Sequence, residues 1–306
     1  MERKVIVIVG PTCSGKSQVA LNLAERLNTE IISADSRQIY KYLSIGTAKP
    51  TENELSKIKH HFIDVLSPDE DYNVSKYEEE ALNIIARLSS ENKIPIVAGG
   101  SGLYVKALID GIINEVSVDE EYRQQLKEKR EIYGNEFLYN ELKRVDPVSA
   151  SKMLPQNWKR VMRALEVYHL TGKPIWEFHQ SHKREVDYQF CQFGLMWERE
   201  ILYSRIEKRV DSMIENGLIE EVRNILSMGF PKSLNSLNTV GYKEIISFLE
   251  NEITLDKAIQ LIKRNTRRFA KRQMTWFRKD KRIKWIQISN ESDLHYIPDI
   301  ILKSLT

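Results

Sequence analysis

Short apolar runs alternate with amphipathic stretches through the first hundred positions. Lys4–Val9 (KVIVIV) is apolar and β-branched and stops at Gly10, which predicts a buried parallel strand. Ser17–Leu27 spaces Val19, Leu23 and Leu27 one helical turn apart. Ile31–Ala34 reads as a second short strand ending in Asp35, Ser75–Leu88 as an amphipathic helix, and Ile94–Ala98 as a third strand. Gly99-Gly100-Ser101-Gly102 follows it. This alternation predicts an α/β fold, a P-loop-type parallel sheet core flanked by helices.

Near residue 115 the pattern changes. Ser117 and Glu120 fit a capping box opening a charged helix that ends near Gly134. A second helix is expected over about 136–145, stopping at Asp146-Pro147. A third starts after Asn157, with Val161, Leu165 and Tyr168 on one face, and stops at Gly172. With no strand signal here, residues 116–185 read as an all-helical insertion domain, and 1–115 with 186–306 as the core. Tyr188–Trp197 alternates as a returning strand. Helices are expected at about 199–216, 218–228 and 255–278, and a last strand at Ile283–Ile288.

The composition, 42% hydrophobic and 29% charged over 306 residues, excludes collagen, low-complexity disorder and disulfide scaffolds. No apolar run approaches the ~20 residues of a membrane helix, so no membrane partner is expected. The N-terminus has no cleavage site after its apolar run and does not read as a signal peptide. Cys13 and Cys191, the only cysteines, exclude a cysteine-based zinc site and fit a reducing cytoplasm.

A net charge of +3 conceals an asymmetry. Between Lys263 and Trp285 stand eleven Lys/Arg residues and one acid, Asp280, while the rest of the chain is net acidic. Such a block is the footprint of a polyanion partner or a solvated helix face.

Gly10-Pro11-Thr12-Cys13-Ser14-Gly15-Lys16-Ser17 is a complete G-x-x-x-x-G-K-[ST] phosphate loop with a strand before it and a helix after it. Its backbone N–H groups and the following helix end would hold a diphosphate or nucleotide, Lys16 would reach the terminal phosphate, and Ser17 would offer a hydroxyl to Mg²⁺. NTP hydrolysis, kinase transfer and loss of an intact diphosphate all remain open. Asp35, at the end of the second strand, can hold Mg²⁺ or accept a proton from an acceptor substrate; a helix cap or surface turn is the alternative. Asp64 is a weak candidate for a second metal carboxylate. Cys13 reads as a small filler in the loop, His60-His61 as structural, and His179 with His182 lacks a third metal ligand.

Ile32-Ser-Ala-Asp-Ser-Arg-Gln-Ile-Tyr40, Ile45-Gly-Thr-Ala-Lys-Pro50 and Pro95-Ile-Val-Ala-Gly-Gly-Ser-Gly-Leu-Tyr104 closely resemble the tRNA dimethylallyltransferase (tRNA isopentenylpyrophosphate transferase) family. So do Arg160, Arg163-Ala-Leu-Glu-Val167, Val240-Gly-Tyr242 and Lys271-Arg-Gln-Met-Thr-Trp276. The resemblance runs in order from residue 5 to about 285. Ser17 and Ser101 stand where many relatives carry Thr, and both keep the hydroxyl.

The resemblance implies transfer of a dimethylallyl group from dimethylallyl diphosphate to N6 of adenosine 37, beside the anticodon of tRNAs reading U-starting codons. It implies a catalytic set of Asp35 as general base on the adenine amine, Thr12, and Arg223 neutralising the diphosphate, with Thr12 to Ser17 and Mg²⁺ holding the donor. Asp35, Ser36, Arg37 and Gln38, then Lys159, Arg160, Val161, Met162 and Arg163, match tRNA-contacting segments. Ser101 and Arg123 match single tRNA-contacting positions, and Lys271 and Arg272 of the basic block are expected to meet tRNA phosphates. A cytoplasmic monomer is expected. The rivals are a small-molecule kinase, which would not need the basic block, and a non-catalytic RNA-binding module, which would not need Lys16 and Ser17.

Overall fold

The computed structural model describes residues 3–112, 116–181 and 187–305. The chain folds into two compact units, Met1–Ile109 with Asp187–Thr306, and Asp110–Val186.

The larger unit is built on a parallel sheet. Its strands are β1 (Arg3–Val9), β2 (Ile31–Ser33), β3 (His60–His61), β4 (Ile96–Gly99), β5 (Tyr188–Trp197) and β6 (Lys284–Ile288). They lie in the order β3-β2-β4-β1-β5-β6, each paired parallel to its neighbour. Val9 pairs with Gly99 on one side and Gly194 on the other, which brings the loops after β1 and β4 to the same edge.

Val5 to Val9 are fully buried because β1 is covered on both faces. Val5, Val7 and Val9 pack with Tyr77, Tyr104, Val105 and Ile262. Ile6 and Ile8 pack with Val19, Leu23, Ile206 and Ile301. Each such side chain is worth roughly 1.5–3 kcal/mol of apolar burial. The helix after β1, Lys16–Leu27, therefore covers one face, and the helix after β4, Gly102–Asp110, covers the other. Adjacent strands that send their chains to opposite faces open a crevice at their carboxyl ends.

In the smaller unit, one helix spans Glu120–Val145 and breaks at Gly134, whose φ of 80° only glycine adopts readily. That break divides it into the two helices expected there, one ending near Gly134 and one over about 136–145. The cap is Asp119, which accepts from Tyr122 N–H at 2.9 Å, and not the expected Ser117. The helix Trp158–Thr171 ends at Gly172 as its pattern predicts. Leu126, Leu138, Leu142, Val161 and Leu165 form this unit's own core. Among the described residues this unit holds no strand. His182 lies outside the described residues, and so does the side chain of His179.

Candidate active site

The phosphate loop is gripped from behind. Arg205 Nε donates to Cys13 C=O at 3.0 Å, Trp197 Nε1 donates to Ser14 C=O at 3.0 Å, and Lys16 Nζ donates to Pro11 C=O at 2.6 Å. Arg205 itself stacks 4.4 Å over the Trp197 ring. With these carbonyls bound, the loop's amides other than Thr12 N–H, which donates to Gln273 Oε1, and the uncapped first turn of Lys16–Leu27 remain to meet an anion. Gly15 has a φ of 89°, and a Cβ there would press on Leu294 at 2.6 Å. Ser14 Oγ is buried and has no hydrogen-bond partner among the described residues. Burial pushes the Lys16 ammonium down to about 8, only partly opposed by the Asp35 charge. Such a cation is held in readiness for an anionic ligand.

Asp35 follows β2 and faces the same crevice. Its Oδ1 accepts from Arg37 N–H at 2.8 Å, closing an Asx turn. Ser101, after β4, binds Ala34 C=O through its N–H at 3.0 Å and accepts from Ser36 N–H at 3.0 Å. The ends of β2 and β4 are thus laced together. The segment at 44–48 is pinned by Glu221, which accepts from Ile45 N–H and Tyr242 OH at 2.8 and 2.6 Å, and by Gln38, which donates to Ala48 C=O at 3.0 Å.

This framework borders a cavity of about 700 Å³, which the phosphate loop lines through Thr12 and not through Lys16 or Ser17. Thr12 and Arg209 line it, with Asp35, Ser36, Arg37 and Ser101. Tyr40, Tyr104, Val210, Met213, Phe269 and Trp276 form its apolar wall. An anion binder, a carboxylate and a water-excluding surface therefore share one space.

Residues 38–280 match the IPP transferase family. The chain belongs to that family. It is 46% identical over 304 residues to a tRNA dimethylallyltransferase of Alkaliphilus oremlandii, covering 99% of this chain and 97% of the relative. Among solved structures, it is similar to a full-length tRNA isopentenylpyrophosphate transferase of Bacillus halodurans (TM-score 0.73, 37% identity, 99% and 97% covered). It is also similar to a eukaryotic dimethylallyltransferase acting on tRNA (TM-score 0.82, 28% identity, 99% and 78% covered).

Within this IPP transferase, the expected site residues separate into distinct environments. Thr12, Asp35, Ser36, Arg37, Ser101 and Arg272 line the cavity. Gln38 is spent on the 47–48 backbone. Arg223 is exposed, pairs with Glu220 at 3.6 Å and does not line the cavity. Sequence reasoning missed Arg209, whose Nη1 donates to Thr12 Oγ1 at 3.0 Å. The available signal was an i, i+4 pair, Arg205 and Arg209, beside the apolar stripe of Leu202, Ile206, Val210 and Met213.

The basic block also divides. Lys263 pairs with Asp211 at 2.6 Å and Arg267 with Glu207 at 2.5 Å, so their charge is consumed inside the fold. Arg268, Lys271, Arg272 and Lys279 line a groove with Thr275 and Trp276, and among the described residues these four form no ion pair. In the smaller unit Lys159 and Arg160 are exposed, whereas Val161 and Met162 are buried in its core. Arg123 and Arg163 both bind the fully buried Glu166 carboxylate, at 2.7 and 2.5 Å. His61 and Glu30 pair at 2.6 Å, and Lys49 pairs with Asp64.

Among the described residues no cluster of three or more His, Cys, Asp or Glu could hold a metal. The donor set near the loop is one exposed hydroxyl, Ser17, and one carboxylate, Asp35. That suits a Mg²⁺ carried in on phosphate oxygens rather than a caged one.

Proposed function

We propose that this chain transfers a dimethylallyl group from dimethylallyl diphosphate to N6 of adenosine 37 in tRNAs reading U-starting codons, releasing diphosphate. One observation carries it: Asp35, Thr12 with Arg209, and an apolar wall all line the same cavity. In the reaction the allylic C–O bond breaks and its electron pair leaves with the diphosphate. The N6–C bond forms, and the N6 proton passes to the Asp35 carboxylate. Lys16, Arg209 and the loop amides hold the leaving charge, which is stabilisation placed where charge develops. Tyr40, Tyr104, Phe269 and Trp276 keep water from the allylic centre. Mg²⁺, held by Ser17 with the diphosphate, would add charge neutralisation.

The acceptor is the anticodon stem-loop, whose target base must leave its stack to reach the cavity. Ser36, Arg37 and Ser101 would meet it there. Lys271 and Arg272 on the larger unit, and Lys159 and Arg160 on the smaller, supply exposed cations for phosphates. Among the described residues no helix is long and apolar enough to cross a membrane. An acceptor that is free tRNA supports a cytoplasmic setting.

Labelled dimethylallyl diphosphate incubated with tRNA and purified protein should yield labelled N6-dimethylallyladenosine. Asp35→Asn should lower kcat by roughly 10²–10⁴, the worth of a positioned base, and shift tRNA affinity far less. Consumption of ATP with no transfer to tRNA would favour the kinase reading instead.

A further inference from the structure

The helix Leu255–Phe277 carries two kinds of chemistry on neighbouring residues. Lys271 and Arg272 are exposed, whereas Gln273 is 7% exposed. A buried amide is unfavourable unless both its ends are hydrogen-bonded. Gln273 Oε1 accepts from Thr12 N–H at 2.8 Å, and its Nε2 donates to Gly100 C=O at 3.0 Å. Thr12 belongs to the loop after β1 and Gly100 to the loop after β4, so one side chain spans the crevice between them.

Gly100 makes this bridge sterically feasible. A Cβ at Gly100 would lie 2.2 Å from Gln273 Nε2, and the next atom it met would be Gln273 Cδ at 3.4 Å. Thr12 is then held twice. Its N–H is fixed by Gln273 and its Oγ1 accepts from Arg209 at 3.0 Å.

We propose that Gln273 is a positioning residue for the donor loop. It acts as an amide strut that fixes Thr12, and through Thr12 the Arg209 guanidinium, in the geometry that receives a diphosphate. It touches no reacting atom. The proposal rests on the reading of this loop as the diphosphate site.

The test uses the full chain with Gln273→Ala and Gly100→Ala, singly and combined. Inorganic diphosphate binding is read by calorimetry, and KM for donor and for tRNA by steady-state kinetics. Gln273→Ala should weaken diphosphate binding and raise donor KM by about 5- to 30-fold, as two hydrogen bonds are lost, with tRNA KM within about twofold. Gly100→Ala alone should do the same, because its methyl group evicts the amide. In the Gln273→Ala background it should add less than about twofold, since both changes break one bridge.

A side chain that only stabilised the fold would lower the active fraction and leave donor KM unmoved. Gln273→Met preserves volume where Ala disturbs folding, and should show the donor defect with a Tm near wild type. Unchanged donor KM and diphosphate affinity in Gln273→Met, or full additivity in the double variant, would overturn the strut. Absence of diphosphate binding by the wild type would overturn the loop reading and the strut together.

Discussion

Arg209 Nη1 lies 3.0 Å from Thr12 Oγ1, although 197 positions separate the two residues in the chain. The hydroxyl accepts this bond, and its own proton, which has only the weak Cys13 Sγ contact at 3.9 Å to compete for it, can turn to a ligand oxygen in the cavity. The same guanidinium is close enough to Lys16 to lower its pKa further. Two neighbouring cations repel each other, and an arriving diphosphate relieves that repulsion.

Arg209→Ala should therefore reduce donor kcat/KM by roughly 10²–10³, the range for losing one charged stabiliser of a leaving group. Arg209→Lys should recover part of it, because a point charge replaces a planar fork. Arg223→Ala should stay within about twofold, since Arg223 is exposed and pairs with Glu220 at 3.6 Å rather than lining the cavity. Steady-state kinetics on the three variants decides this, and a larger loss in Arg223→Ala than in Arg209→Ala would reverse the assignment.

Donor affinity should depend on pH through Lys16. Burial holds its pKa at about 8 in the free protein, and a bound diphosphate must raise it. Below about pH 8 the ammonium is already charged, and affinity is flat in pH. Above about 8 the free protein carries a neutral amine, so binding takes up a proton and donor KM climbs by about tenfold per pH unit. Lys16→Arg remains charged throughout and should flatten that rise. A wild-type KM constant between about pH 8 and 9.5 would show that Lys16 is already ionised there.

Much of the larger unit is legible from local pattern. β1, the phosphate loop and the helix Lys16–Leu27 follow from an apolar run, a glycine turn and a 3.6-residue period, which depend on adjacent residues alone. Asp35 is legible because it ends a strand. The helix Gly102–Asp110 is not, because it starts inside a glycine-serine run that reads as a loop; its burial comes from Tyr104, Val105 and Leu108 packing on Val5 and Val7. β3, only two residues long, exists through pairing with β2. Arg209 escapes for a related reason: its role depends on a loop 197 positions away. The paired half of the basic block is equally silent, since Asp211 and Glu207 lie on another helix.

That division predicts which cations govern the salt dependence of tRNA binding. Arg268, Lys271 and Arg272 form no ion pair among the described residues, so meeting a phosphate costs them no internal partner. Lys271→Ala with Arg272→Ala should reduce the slope of log K against log salt by about 0.7–0.9 for each phosphate that is no longer neutralised. Lys263→Ala with Arg267→Ala removes charges already neutralised by carboxylates and should leave the slope nearly intact. Equal slopes for both double variants would return the exposed face to mere solvation.

Glu166 should hold the smaller unit together in a pH-dependent way. Its carboxylate is fully buried, and burial alone would push its pKa up. Hydrogen bonds from Arg163, Asp119 N–H and Arg123 outweigh that and hold the carboxyl below its ordinary value. A depressed folded pKa stabilises above the unfolded value and stops doing so as pH falls through the folded one. Glu166→Gln keeps the shape but removes the carboxylate shared by two guanidiniums, each about 30% exposed or less, leaving Arg163 on the Val116 and Ser117 carbonyls and Arg123 on Glu120. The loss at pH 7 should be about 2–3 kcal/mol, less than for a dry buried pair because water still reaches the arginines. Urea unfolding of this unit should show that gap at about pH 7 and a gap that shrinks as the pH falls below the ordinary glutamate range, where the unfolded wild-type chain takes up a proton that the folded one does not. A gap that persists unchanged into acid would mean that Glu166 stabilises by packing rather than by charge. The same variant offers Arg123 and Arg163 for RNA phosphates without their carboxylate, so tRNA affinity should hold or rise at low salt if the pair meets RNA. A fall in affinity with the fold intact would show that Glu166 serves to aim them.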